Sequence, residues 1–206
     1  MKKSALIIVD PQKDFCPGGA LPLPGGNEIA SYILGHLFHY PFDLMIVSRD
    51  WHPKDHTSFK VDGCDERGIW PPHCIQGTSG AALLFIPPYN VLLATKGDNP
   101  YEHPYSAMKA HMDDAPDTMV PSLLKSKKID SVFVGGLALD FCVKDTVLDL
   151  LKEGYETFLM LDACRGLGHA TMTDAVREMV EAGAKLTYIK NVEQLVKSRR
   201  KDDSPG

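Results

Sequence analysis

The sequence predicts an α/β domain in which a parallel sheet carries helices on both faces. Three observations support this. Short β-rich runs alternate with helical stretches along most of the 206 residues. The runs are apolar at consecutive positions rather than at every second one, as strands covered on both faces read. Gly154 and Gly183 stand where the C-terminal caps of two of the helices are expected.

Taken in chain order, the first run is 5–9, closed by Asp10 and Pro11, and a helical pattern follows over 28–39. A second strand is expected over 44–48 and a third over 91–95, then a helix over 118–127. Residues 131–134 form the next strand and 141–153 the next helix; 157–161, 170–182 and 185–189 complete the series as strand, helix and strand. Alternation of this kind within one domain implies a parallel sheet. No repeat or Pro/Gly/Ser linker interrupts the chain, so 1–196 reads as a single domain, and the polar residues 197–206 read as a frayed tail. The segments 50–88 and 97–116 are long for connections. Both leave the C-terminal ends of strands, where open parallel sheets build their sites.

Composition narrows the function. A formal net charge of −5 gives no reason to expect nucleic acid or an anionic membrane as partner. The longest apolar runs are strand-length, too short to span a bilayer, and Met1-Lys2-Lys3 with its short apolar sequel does not read as a signal peptide. Cys16, Cys64, Cys74, Cys142 and Cys164 make an odd count with no Cys-x-x-Cys pair. Reduced thiols in a cytoplasmic protein are therefore expected, rather than a disulfide framework or a thiolate zinc site. Oligomeric state is left open, with room for a homo-oligomer.

Three polar residues follow three strands. Asp10 closes the first, Lys96 closes 91–95, and Cys142 follows 131–134 through a Gly-Gly turn. If those strands are parallel, all three side chains meet at one sheet edge. Asp140 reads as an N-cap, which places Cys142 in the first helical turn, where the helix dipole and a nearby lysine favour thiolate. Free N–H groups of that turn suit an oxyanion. Singly, Cys142 reads as a small buried hydrophobe, Asp10 as a turn residue and Lys96 as a surface charge; together they read as a nucleophile with its base and cation. A second group is Asp50, His52, His56 and His73. One carboxylate with imidazoles and no thiolate suits Zn²⁺, Fe²⁺ or Mn²⁺. The other five histidines, His103 among them, show no such grouping. Phe15, Trp70 and Tyr105 supply aromatic walls nearby.

These residues resemble the nicotinamidase/pyrazinamidase family of the isochorismatase-like hydrolases. The resemblance lies in Ile8-Val9-Asp10-Pro11-Gln12-Lys13-Asp14-Phe15, Arg49-Asp50-Trp51-His52-Pro53, Trp70-Pro71-Pro72-His73-Cys74, Thr95-Lys96-Gly97, Tyr105-Ser106 and Gly135-Gly136-Leu137-Ala138-Leu139-Asp140-Phe141-Cys142-Val143. It implies a three-layer α/β/α sandwich with a six-stranded, mostly parallel sheet. The implied chemistry is hydrolysis of nicotinamide to nicotinate and ammonia in NAD salvage, with pyrazinamide as an alternative substrate. Asp10, Lys96 and Cys142 would be catalytic, and the amides of Ala138 and Cys142 would hold the oxyanion, with a cis peptide between Leu137 and Ala138. One divalent metal, Zn²⁺ first with Fe²⁺ or Mn²⁺ open, would sit on Asp50, His52 and His73, with His56 or Ser58 completing the set. Phe15, Trp70, Leu137 and Tyr105 would form the substrate pocket. Phe141, where some relatives carry His or Tyr, is read as a side chain that need not touch substrate. A ureido- or carbamoyl-group amidase, a non-catalytic binding protein and a redox-sensing thiol are the competing readings.

Overall fold

The computed structural model describes residues 2–60 and 68–201. Cys64 and residues 202–206 lie outside the described residues. The strands are β1 (Ser4–Val9), β2 (Leu44–Asp50), β3 (Leu92–Lys96), β4 (His111–Met112), β5 (Ala115–Met119), β6 (Ser131–Gly136), β7 (Glu156–Cys164) and β8 (Lys185–Thr187). The α-helices are α1 (Ile29–Gly35), α2 (Val120–Ser126), α3 (Lys144–Lys152), α4 (His169–Glu181) and α5 (Ile189–Lys201).

All eight strands join one sheet in the order β5-β4-β3-β2-β1-β6-β7-β8. The six strands from β3 to β8 through β1 are parallel. The expected six-stranded sheet is thus extended to eight: β4 and β5 add an antiparallel ribbon to the outer edge of β3. β4 has two residues and β5 is largely exposed, so neither carries an apolar run by which a sequence reveals a strand. The helix expected over 28–39 ends as α1 at Gly35, with a separate short turn over Leu37–His39. The strand expected over 185–189 stops at Thr187, and α5 begins at Ile189. That helix runs into the segment read as a tail. Its buried Ile189, Val192 and Val196 form a stripe at helical spacing, diluted in the sequence by the charged residues between them.

β1 shows why three layers form. All six of its residues are buried, and alternate side chains point to opposite faces. Ala5, Ile7 and Val9 pack with Val120 and Leu124 of α2, Val147 and Leu150 of α3 and Met179 of α4. Leu6 and Ile8 pack with Ile29 and Ile33 of α1 and with Val192 and Val196 of α5. Each such aliphatic side chain contributes about 1.5–3 kcal/mol on burial. Strand order reverses between β1 and β6, which pair in register from Ser4↔Ser131 to Val9↔Gly136. Such a switch point leaves a crevice beyond the C-terminal strand ends. Asp10 follows one of those strands and the Cys142 turn follows the other.

Candidate active site

Three strand ends deliver the buried ionic group. Lys96 pairs with Asp50 across β2 and β3, and Asp10 leaves β1 with φ of +46°, a left-handed conformation that aspartate tolerates better than most residues. Lys96 is among the largest fully buried side chains in the molecule. Its Nζ donates to Asp50 Oδ1, lies 2.9 Å from Asp10 Oδ2 and reaches Cys142 Sγ at 3.6 Å. Burial alone would strip the lysine of its proton, but Asp10 and Asp50 outweigh it and hold the ammonium charged, its pKa well above the usual value.

The carboxylates divide by environment. Burial pushes Asp50 up, but Lys96 and His52 more than reverse it, so Asp50 is held ionised. Asp10 goes the other way: burial dominates the pull of Lys96, and its pKa is raised. Ser48 Oγ donates to Asp10 Oδ1 at 2.7 Å, while Oδ2 accepts no hydrogen bond among the described residues, so its contact with Lys96 is an ion pair rather than an aligned hydrogen bond. Asp10 thus presents a basic, unfilled oxygen close to the thiol; one carboxylate oxygen each of Asp10 and Asp50 and Cys142 Sγ all lie within 4.8 Å of one another.

Cys142 is buried. It sits not in a regular first helical turn but in a wide π-type turn, Leu139–Val143, that feeds α3. Asp140 is not the cap the sequence suggests: its carboxylate accepts from Leu167 N at 3.1 Å and from Thr171 Oγ1 at 2.5 Å, tying the turn to α4. Burial pushes the Cys142 thiol well up, with Lys96 pulling the other way. The resting group is therefore a thiol beside a base, not the preformed thiolate that a helix dipole would favour. The Leu137–Ala138 peptide is cis, as expected. The Ala138 amide donates to no partner among the described residues.

A second group adjoins the first. Asp50 Oδ2 lies 3.6 Å from His52 Nε2 and 4.0 Å from His73 Nε2. Each imidazole donates its other N–H to a backbone carbonyl, His52 Nδ1 to Gly97 O and His73 Nδ1 to Pro71 O, both at 2.8 Å. That fixes the ring orientation and aims both Nε2 atoms toward Asp50, as second partners do for metal-ligating histidines. A carboxylate and two imidazoles converging in this way could hold a divalent metal. His56 stands beside this group, its ring 4.2 Å from that of His52, with both nitrogens occupied. Nε2 donates to Glu102 O at 2.9 Å and Nδ1 accepts from Ser58 Oγ at 2.6 Å. Burial and the neighbouring His52 push its pKa down to about 4.

Cys142 and the Asp50–histidine group line one cavity whose walls also include Phe15, Trp70, Tyr105 and Ala138, with Asp10 and Lys96 buried behind it. Trp70 Nε1 donates to Tyr105 Oη at 2.9 Å. Leu137 is not part of the wall; it is wholly buried in the core beneath, because the turn points Ala138, not Leu137, at the cavity. Phe141, read as a side chain that need not touch substrate, lines it and meets Trp70 edge-on with centroids 4.9 Å apart. His103, read as ordinary, lines it too, and donates from Nε2 to Thr57 Oγ1 at 2.8 Å. Gln12 was not singled out at all. Its fully buried amide brackets Asp50, donating to Asp50 O at 2.7 Å and accepting from Asp50 N at 2.8 Å.

The Isochorismatase domain matches residues 4–191. A nicotinamidase of Escherichia coli (strain K12) is 35% identical, over 94% of this chain and 99% of the relative. The chain belongs to the isochorismatase family, in its nicotinamidase branch. Among solved structures, the pyrazinamidase of Pyrococcus horikoshii in complex with zinc is 33% identical with a TM-score of 0.75, covering 90% of this chain and 99% of that one. A protein from L. infantum solved in complex with nicotinate is 32% identical with a TM-score of 0.78, covering 92% and 94%. Among the described residues no helix is long and apolar enough to cross a membrane.

Proposed function

We propose that this nicotinamidase-family chain hydrolyses nicotinamide to nicotinate and ammonia, with pyrazinamide as an alternative substrate, and serves NAD salvage in the cytoplasm. The observation that carries the reading is the direct junction of two groups at one aromatic cavity: Cys142, backed by the buried Asp10 and Lys96, and Asp50 with His52 and His73. A carboxamide on a pyridine ring needs a nucleophile at one end and an anchor for the ring nitrogen at the other.

In this reading Asp10 takes the thiol proton of Cys142 as sulfur attacks the amide carbon. The C–S bond forms, the carbonyl π electrons move to oxygen, and the amides of Ala138 and Cys142 stabilise that oxyanion. Asp10 returns the proton to the amine, the C–N bond breaks, and ammonia leaves a thioester on Cys142. Asp10 then deprotonates water, which attacks the thioester carbonyl; the C–S bond breaks and the proton restores the thiol as nicotinate departs. Lys96 keeps its charge throughout and holds Asp10 and Asp50 in place. Phe15, Trp70 and Tyr105 clasp the ring.

Asp50, His52 and His73 would hold one divalent ion, with zinc first and iron or manganese as alternatives. The fit rests on their chemistry: three buried donors, two with their ring orientation fixed from behind. His56 or Ser58, which line the same cavity, would complete the set, and for His56 that would require release of one of its two hydrogen bonds. Such an ion would supply Lewis-acid binding of the ring nitrogen.

The test is ammonia release by the purified protein from nicotinamide, pyrazinamide and benzamide, before and after chelation. Turnover of the first two, loss on chelation and at least tenfold weaker use of benzamide are expected. No ammonia from nicotinamide after restoring Zn²⁺, Fe²⁺ or Mn²⁺ would overturn the substrate, with ureido and carbamoyl amides next.

A further inference from the structure

Thr146 lies one helical turn beyond Cys142 in α3 and is completely buried. Its hydroxyl donates to Cys142 O at 2.6 Å. A bond back to the fourth preceding carbonyl is common for threonine in helices and would by itself mean little. The same oxygen, however, accepts from Ala107 N at 2.9 Å, from a loop 39 residues away in sequence. One buried hydroxyl therefore joins the nucleophile's own carbonyl to the segment 97–116, which carries the cavity residues His103, Pro104 and Tyr105.

The local geometry makes this joint stiff. Ala107 opens a short turn, Ala107–Lys109, whose N-cap Ser106 accepts from Met108 N at 3.1 Å. Ala107 and Met108 are both buried. Tyr105, two residues before Ala107, hydrogen-bonds Trp70 at the far wall. Tyr105 also packs on Phe141, adjacent to the nucleophile, with centroids 5.7 Å apart. A shift of Ala107 relative to Thr146 would thus move the aromatic wall relative to the sulfur.

We infer that Thr146 is a positioning residue whose hydroxyl sets the register between the Tyr105 wall and the Cys142 nucleophile. The inference rests on the reading that an aromatic amide is held by that wall while sulfur attacks it. A misplacement near 1 Å costs about a hundredfold in rate, so a modest slip is expected to be felt mainly in kcat. The thiol itself, in its Asp10 and Lys96 setting, is not altered by such a slip. A small electrophile that does not need the wall should then react as before.

The experiment compares the metal-loaded wild type with Thr146→Val, Thr146→Ser and Ala107→Pro. Valine keeps the shape and loses the hydroxyl; serine keeps the hydroxyl. Proline at 107 deletes the donor after Ser106 at ψ of 132°, as residues before proline prefer, and its ring carbon takes the place of the hydrogen that meets Thr146 Oγ1, so it both removes the bond and forces the two segments apart. It carries the test if the valine variant does not fold. The readouts are kcat and KM for nicotinamide and the rate of Cys142 alkylation by iodoacetamide, mapped by mass spectrometry. Expected are a fall of about tenfold or more in kcat for valine and proline, a smaller change in KM, alkylation within about twofold of wild type, and recovery by serine to within about threefold. Unchanged kcat in the folded hydroxyl- or donor-deleted variants would overturn the inference. So would serine as impaired as valine, or alkylation falling in step with kcat. Absence of nicotinamide turnover in the wild type would overturn the substrate reading and the inference with it, and is recognisable because it needs no variant.

Discussion

An ammonium with no exposed surface sits between two carboxylates in this site, and the energetics of that arrangement govern what single substitutions do. Removing one partner of a buried ion pair leaves an uncompensated charge, which costs about 3–5 kcal/mol. Lys96→Ala is therefore expected to lose turnover and to destabilise the protein by about that amount in urea unfolding, since it leaves Asp10 and Asp50 facing each other. Gly97 is a subtler case. Its φ is +70°, and a Cβ there would lie only 2.4 Å from His52 Cε1, while its carbonyl holds the His52 ring in orientation. Gly97→Ala is expected to lower metal stoichiometry, measured by elemental analysis, and to destabilise by about 1–3 kcal/mol. At this scale the sequence was most informative about charged groups at strand ends, since Asp10, Asp50 and Lys96 converge where parallel strands would put them, and about the histidine grouping, since His52 and His73 meet Asp50 from the connection that follows β2. It was least informative about residues that act by contact. Gln12 brackets Asp50 through amide geometry that no spacing announces, and Phe141 faces the cavity only because a π-type turn, not a regular helix, carries it.

Among the elements, β8 is the edge strand of the sheet and α5 the helix that follows it, and Glu156 at the start of β7 fastens both. Arg199 of α5 donates to its two carboxylate oxygens, and Lys185 of β8 to one of them. Burial pushes Glu156 upward, but the hydrogen bonds from Arg199 and Lys185 outweigh it and hold the carboxyl below its ordinary 4.5. A depressed carboxyl contributes stability that is fully present above the ordinary value and is lost as pH falls through the folded one. Because the group is partly exposed, about 0.5–1 kcal/mol is expected at neutral pH. Thermal unfolding of Glu156→Gln against wild type should show a gap near neutrality that closes as pH falls below 4.5; a gap that persists unchanged in acid would contradict the role. The interior strands were readable because every residue of β1 and β6 is buried, which leaves unbroken apolar runs. β4, β5 and α5 were not, since two-residue strands, exposed edges and a charge-diluted stripe give no such run.

For the molecule as a whole, the histidine group and the Cys142 group share Asp50, whose two oxygens face Lys96 and the histidines respectively. Metal loading should therefore be felt as stability as well as activity. A ligand bound only by the folded state at a hundred times its dissociation constant adds about 2.7 kcal/mol. Chelation should lower the Tm of wild type by several degrees and that of His52→Ala by far less; equal shifts would place the ion elsewhere. The α/β class was legible throughout because strand and helix alternate, whereas the crevice between β1 and β6 depends on strand order, which a single sequence does not state.

The central claim is that Cys142 carries the chemistry on nicotinamide. The direct measurement is nicotinate formed from nicotinamide by metal-loaded wild type and by Cys142→Ala, with circular dichroism confirming that both are folded. Nicotinate from the wild type alone, with the variant at the uncatalysed background, is the predicted result. A folded Cys142→Ala that still forms nicotinate at the wild-type rate would contradict it.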